Sequence, residues 1–200
     1  EDEKVRWLAA RMLRSHGRKY RDDPKLAARV LGAAEAERNE VVAGKLGDAV
    51  ASIDFVATKL EDRVLELAKS HPVEKLRAEV VNSMLFRNRK SSKIFEVVKE
   101  MARNEENAAV RRAAVRAFWI GTPRDKRNEI CELWVGIGQE DKDPKIAGVA
   151  LRLAAQYTNS QCKDHYDTIL GHAEKLAKAG EVKSSDIPSA LRYIHKQKDA

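Results

Sequence analysis

Cysteine, proline, glycine and aromatic residues are all scarce in this chain of 200 residues. Five prolines and ten glycines exclude collagen-like and proline-rich linker compositions. There is little Val-Thr-Tyr alternation of the kind that marks half-buried strands. No apolar run approaches the roughly 18–20 residues that a membrane-spanning helix needs. The two cysteines, Cys131 and Cys162, have no CxxC or HxxxH pair beside them, which leaves no zinc pattern. They read as two buried free thiols. A disulfide between them requires Cα atoms within about 7 Å, and so requires Cys162 to sit in a turn and swing inward. The chain starts at Glu1 rather than Met, which reads as trimming. A cytoplasmic location is slightly favoured, or a periplasmic or secreted one if Cys131 and Cys162 are bonded or a trimmed signal preceded Glu1.

Catalytic motifs are missing as well. The sequence holds no GxSxG, no P-loop and no GxGxxG. Ser15-His16 and Ser70-His71 read as helix endings. Glu105-Glu106 lies on an exposed turn, where nothing would raise a carboxyl pKa for acid–base work. His165 and His172 lie seven apart on one helix without a third ligand, too few for zinc. The expectation is a non-enzyme with no cofactor and no metal.

What is present is helix-forming. Hydrophobic residues are 43% and charged residues 34%, with a net charge of +7 from 38 bases and 31 acids. Ala, Leu, Lys, Arg and Glu dominate, all strong helix formers. Five segments with helical apolar spacing can be superposed. Their leading apolar residues are Val5, Val41, Leu76, Val110 and Ile146, at steps of 36, 35, 34 and 36 residues. Within them, apolar or small residues recur every fourth position, as in Leu76, Val80, Met84; Val110, Ala114, Phe118; and Ile146, Ala150, Ala154. That places them on one helix face.

Each segment is followed by a turn and a second amphipathic stretch: Pro24 to Ala34, Thr58 to Ser70, Ser92 to Arg103, Pro123 to Gly138, and Ser160 to Ala179. Asp23-Pro24, Thr122-Pro123 and Asp143-Pro144 place a capping side chain before proline, with Asn107 and Ser92 as further caps. Gly32, Gly121, Gly138 and Gly180 read as helix ends. A sixth first-type helix is expected over Asp186 to Lys196. The core is expected to add Leu60, Val64, Leu67, Ile94, Val97, Val98, Met101, Ile130, Leu133, Ile169 and Leu170. Trp7, Phe118, Trp119 and Trp134 also read as core.

The segments NAAVRRAAVRAFW and DPKIAGVALRLAAQY resemble the first helices of HEAT repeats. Those begin with Asp-Pro or Asn, continue with Val-Arg and run on in Ala-rich apolar spacing. The resemblance is sharp from Val73 to Tyr157. The second copy departs from it, with Gly44 and Gly47 inside the helix and no Val-Arg. The resemblance implies an all-α fold: a right-handed α-solenoid of about five and a half helical hairpins, spanning residues 1–200 as a single domain. It also implies a non-catalytic scaffold or adaptor binding a protein partner. HEAT-like DNA glycosylases resemble the chain in architecture only, with no motif to transfer.

Turn charges offer an alternative partner. The turns inside the hairpins are basic: GRKYR (Gly17 to Arg21), RNRKSSK (Arg87 to Lys93) and TPRDKR (Thr122 to Arg127). The turns between hairpins are acidic: EAE (Glu35 to Glu37), NEEN (Asn104 to Asn107) and QEDKD (Gln139 to Asp143). Stacked repeats would gather Arg87, Arg89, Lys90, Lys93, Arg124, Lys126 and Arg127 into one basic edge for a phosphate-rich partner such as nucleic acid. The acids and bases also complement the dipoles of the helices they flank.

Overall fold

The computed structural model describes residues 2–17, 21–156 and 162–180. Among them lie ten α-helices and no strand. In chain order these are α1 (Glu3–Ser15), α2 (Pro24–Ala36), α3 (Glu40–Val50), α4 (Glu61–Ser70), α5 (Glu74–Asn88), α6 (Ser92–Asn104), α7 (Ala108–Gly121), α8 (Arg127–Glu140), α9 (Pro144–Gln156) and α10 (Tyr166–Lys178). The contacts fall into two compact units, Glu1–Gly121 and Thr122–Ala200. The helix expected over Asp186 to Lys196 lies outside the described residues.

In the first unit the odd-numbered helices pack in succession. α3 lies against α1 and α5, and α5 lies against α7. The even-numbered helices lean on them, α2 on α3, α4 on α5 and α6 on α7. In the second unit α8 and α10 both pack on α9. The seam between odd helices is made of the fourth-position stripe. Leu76, Val80, Met84, Val110, Ala114 and Phe118 are all buried, and Phe95 of α6 meets Phe118 edge-on at 5.3 Å between ring centres.

Several sequence expectations need correcting. Val41 is half-exposed, and the buried residue is its neighbour Val42. Asn39 caps α3 by accepting from the Val41 and Val42 N–H groups. The core position is therefore three residues after the cap, as Val110 is after Asn107 and Ile146 is after Asp143. Val5 holds the equivalent place in α1 but is exposed. Val97 and Leu170 are only partly buried. Trp134 is fully buried, Trp7 partly so, and Trp119 is exposed. Ser91, not Ser92, caps α6. Thr122-Pro123 leads into a 3-10 turn over Arg124–Lys126 before α8 begins. Gly32 and Gly138 lie within helices.

Gly44 and Gly47 are what the second segment needs. A Cβ on Gly47 would stand 2.8 Å from the Cβ of Glu79 and 3.1 Å from the Leu76 carbonyl oxygen. α3 approaches α5 that closely because the side chain is missing, which offsets the ~1 kcal/mol that glycine costs inside a helix. Gly121 ends α7 under the same constraint, since a Cβ there would fall 2.3 Å from that of Leu85.

The three-residue turns that lead into α3, α5, α7 and α9 share one hydrogen bond. The residue two places before each odd-helix cap accepts from that cap's backbone N–H. Glu37 accepts from Asn39 at 2.9 Å, His71 from Val73 at 3.1 Å, Glu105 from Asn107 at 3.1 Å and Asp141 from Asp143 at 2.8 Å. Arginines of the odd helices engage the same turns. Arg6 donates to Glu37 at 2.9 Å, Arg77 donates two bonds of 3.2 Å to Glu105, and Arg111 donates to the Glu105 and Glu106 carbonyls. Each of these arginines follows the cap by four residues and forms the Arg of Val-Arg or Leu-Arg. Much of the acidity of the turns is thus turn closure.

The expectation of free thiols is also overturned. Cys131 of α8 and Cys162 are joined, with Cα atoms 5.6 Å apart and both residues buried. Cys162 sits in a bend just before the turn over Lys163–His165, which is the placement a bond required. The bridge closes a loop with a sequence separation of 31, for which chain-entropy arguments give about 3–4 kcal/mol. Cys131→Ala should lower unfolding free energy by about that amount, as should reductant on the wild type. Denaturant titrations with and without dithiothreitol check this. Identical midpoints would contradict it.

Candidate binding surfaces

The seven cations expected to form a basic edge are distributed over both units. Arg87, Arg89, Lys90 and Lys93 belong to the first unit, and Arg124, Lys126 and Arg127 to the second. Arg87, Arg89 and Lys90 are exposed. Lys93 is exposed but bonds Asp62, which holds its ammonium above the ordinary lysine range through that hydrogen bond and the Asp62 charge. Lys126 pairs with Glu129 at 3.0 Å. Arg124 is exposed, and Arg127 is partly buried. Local carboxylates thus engage Lys93 and Lys126.

The basic segment Arg87 to Lys93 contains a residue that is not basic-edge at all. Asn88 is buried. Its Oδ1 accepts from the Phe55 N–H at 2.7 Å, and its amide nitrogen donates to the Met84 carbonyl at 2.9 Å and the Ile53 carbonyl at 3.4 Å. One step further along, the Asp54 N–H donates to the Arg21 carbonyl at 3.0 Å. Three successive turns are stitched together this way: the one before α2, the one before α4 and the end of α5. Between them lies a cleft of about 500 Å3, lined by Arg21, Asp22, Asp54, Ala57, Phe86, Arg87 and Arg89.

A second cleft, also about 500 Å3, opens between α1 and α2 with α3 as its floor. Val5, Ala9, Leu13, Ala33, Val42 and Leu46 give it apolar walls, and the Arg6–Glu37 ion pair sits at its edge. The adjoining face of α1 leaves Leu8 and Met12 about half exposed. α1 is the first helix of its unit and packs on α3, so its outer face has no further described odd helix to cover it.

Among the described residues, no group of three metal-ligating side chains gathers. His165 bonds Glu132 at 2.9 Å, and His172 lies 3.4 Å from the Gln139 amide. Both histidines thus face α8. One carboxyl of the first unit, that of Glu79 in α5, is perturbed by its surroundings. Burial, and then the Asp48 charge, push the Glu79 carboxyl above its ordinary value, while Lys45, Lys75 and Arg14 oppose the shift. Arg14 and Lys45 both reach Asp48, so this is a charge ladder across α1, α3 and α5.

No protein-family model, curated protein or solved structure matches this chain.

His71 has a distinctive electrostatic setting among the turn residues. It fills the place that Glu37, Glu105 and Asp141 hold elsewhere. Burial, then the Arg38 charge, push its pKa below the ordinary histidine value, against hydrogen bonds to Val73, Glu35 and Glu37. Arg38 approaches its Nε2 at 3.2 Å. A folded-state pKa below the unfolded one means the unfolded chain takes up the proton first. Stability should therefore fall as pH drops below about 6.5. Urea midpoints between pH 7.5 and 5 should decline more steeply for the wild type than for His71→Gln. An equal or steeper decline in the variant would refute this account of the turn.

Proposed function

We propose that the chain is a HEAT-like α-solenoid acting as a non-catalytic scaffold, and that it takes an amphipathic helix of a protein partner into the cleft between α1 and α2. The observation that supports this reading is the apolar cleft itself, continuous with a helix face on which Val5, Leu8 and Met12 are about half exposed. Contiguous exposed apolar surface on a charged protein costs solubility and marks interaction sites. A groove with apolar walls and an ion pair at its edge suits a helix laid in lengthwise, read through anchors at i, i+4 and i+7. The successive packing of α1, α3, α5 and α7 supports the solenoid reading within the first unit. The disulfide between Cys131 and Cys162 suits an oxidising compartment over the cytoplasm.

Binding of nucleic acid along an extended basic edge is the weaker alternative. Lys93 and Lys126 are engaged by Asp62 and Glu129, and bases already paired release fewer counterions on contact with phosphate.

A pull-down with the intact protein from nuclease-treated extract separates the two. Val5→Asp with Ala9→Asp places charge on exposed cleft positions, so stability should change little. Capture should survive nuclease and fall about tenfold or more in this variant, as expected when a buried anchor is lost. Captured material that vanishes on nuclease treatment, or binds the variant equally well, would overturn the scaffold reading.

A further inference from the structure

The cleft among the three stitched turns belongs to a different surface of the first unit and goes beyond the protein-partner reading. We propose that it binds a nucleoside phosphate, with the phosphate on Arg87 and Arg89 and the base on the Phe86 ring.

Phe86 is 49% exposed at the end of α5, unusual for a phenylalanine in a helical protein. The Arg87 guanidinium lies 5.2 Å from its ring centre. Together they present a flat aromatic and cationic platform, the arrangement on which bases stack. Among the described residues, neither Arg87 nor Arg89 has a carboxylate partner. Arg21, by contrast, is spent on Asp22 through contacts of 3.1 and 3.3 Å. The acid across the cleft, Asp54, has its Oδ1 on the Ala57 N–H at 2.9 Å. Two planar, unpaired guanidiniums beside an exposed ring are suited to a phosphate joined to an aromatic heterocycle.

The platform is held rigidly. Asn88 lies between Arg87 and Arg89 in sequence, is buried, and ties the end of α5 to Ile53 and Phe55. The Asp54–Arg21 backbone bond fixes the opposite wall. The cleft volume of about 500 Å3 falls within the range of small-ligand pockets. A free nucleotide and one unit of a single strand both offer this base and phosphate.

Four probes distinguish these cases: titration calorimetry with AMP, with phenyl phosphate and with inorganic phosphate, and anisotropy of fluorescein-labelled oligothymidylate, all at low salt. AMP should bind at least tenfold more tightly than inorganic phosphate if the base contributes by stacking. Phe86→Ala should weaken AMP about tenfold and leave inorganic phosphate unchanged. Arg87→Ala with Arg89→Ala should abolish binding of both. Lys90→Ala with Lys93→Ala should change neither. All these side chains are exposed, so melting temperatures should stay at the wild-type value. AMP bound without the oligonucleotide identifies a free nucleotide, and tighter oligonucleotide binding identifies a single strand. No binding of AMP or oligonucleotide at millimolar concentration would overturn the proposal, as would AMP bound no better than phosphate. Preference for phenyl phosphate over AMP would equally overturn the nucleoside assignment and point to phosphotyrosine.

Discussion

The hydrogen bond from the cap of α3, α5, α7 and α9 back to the side chain two residues earlier sets the path of the chain from each even helix into the odd helix it packs on. Glu37, His71, Glu105 and Asp141 all accept it. The consequence is geometric. A helix N-terminus leaves backbone donors without partners, and a turn of three residues has little slack to hide them. With the cap N–H satisfied, the residue three beyond the cap falls on the packing seam, where Val42, Leu76, Val110 and Ile146 are buried. The seam then sets how closely the helices approach, and Gly47 and Gly121 sit where that approach leaves no room for a side chain.

This constraint also explains what was legible in the sequence. The helix succession could be read because two signals coincide: apolar residues every fourth position, and Asp or Asn before the first turn. Where a cap is present but two valines follow, as at Asn39-Glu40-Val41-Val42, apolar spacing alone chose the wrong valine, and only the cap register chooses correctly. The acidic turns were visible, but their work was hidden, because an acid facing solvent and an acid folded onto its own backbone look the same in sequence. His71 could not be read as equivalent to Glu37 at all, since the shared property is an acceptor atom at a given distance rather than a charge.

The binding surfaces were less legible than the fold. Arg87 and Arg89 stood out as part of a basic segment, but Asn88 between them is a buried tie, and Phe86 just before them is the exposed aromatic the segment itself lacks. A helix rotates by about 100° per residue, so neighbours at the end of α5 divide between core (Met84, Leu85, Asn88) and surface (Phe86, Arg87), and a reading of composition merges them. Cys131 and Cys162 illustrate a second limit. Their pairing depends on Cys162 lying in a bend rather than on a helix, a matter of one turn of chain.

The claim on which this account rests most heavily is that the acids in the three-residue turns hold neighbouring helices together. A double-mutant cycle on Arg77 and Glu105 tests it directly. Both side chains are largely buried, at 12% and 13% exposure, and two bonds of 3.2 Å join them. Measured by urea unfolding of wild type, Arg77→Ala, Glu105→Ala and the double variant, the coupling free energy should be about 1 kcal/mol or more. A coupling indistinguishable from zero, with Glu105→Ala no less stable than wild type, would contradict the account and return the acidic turns to the surface.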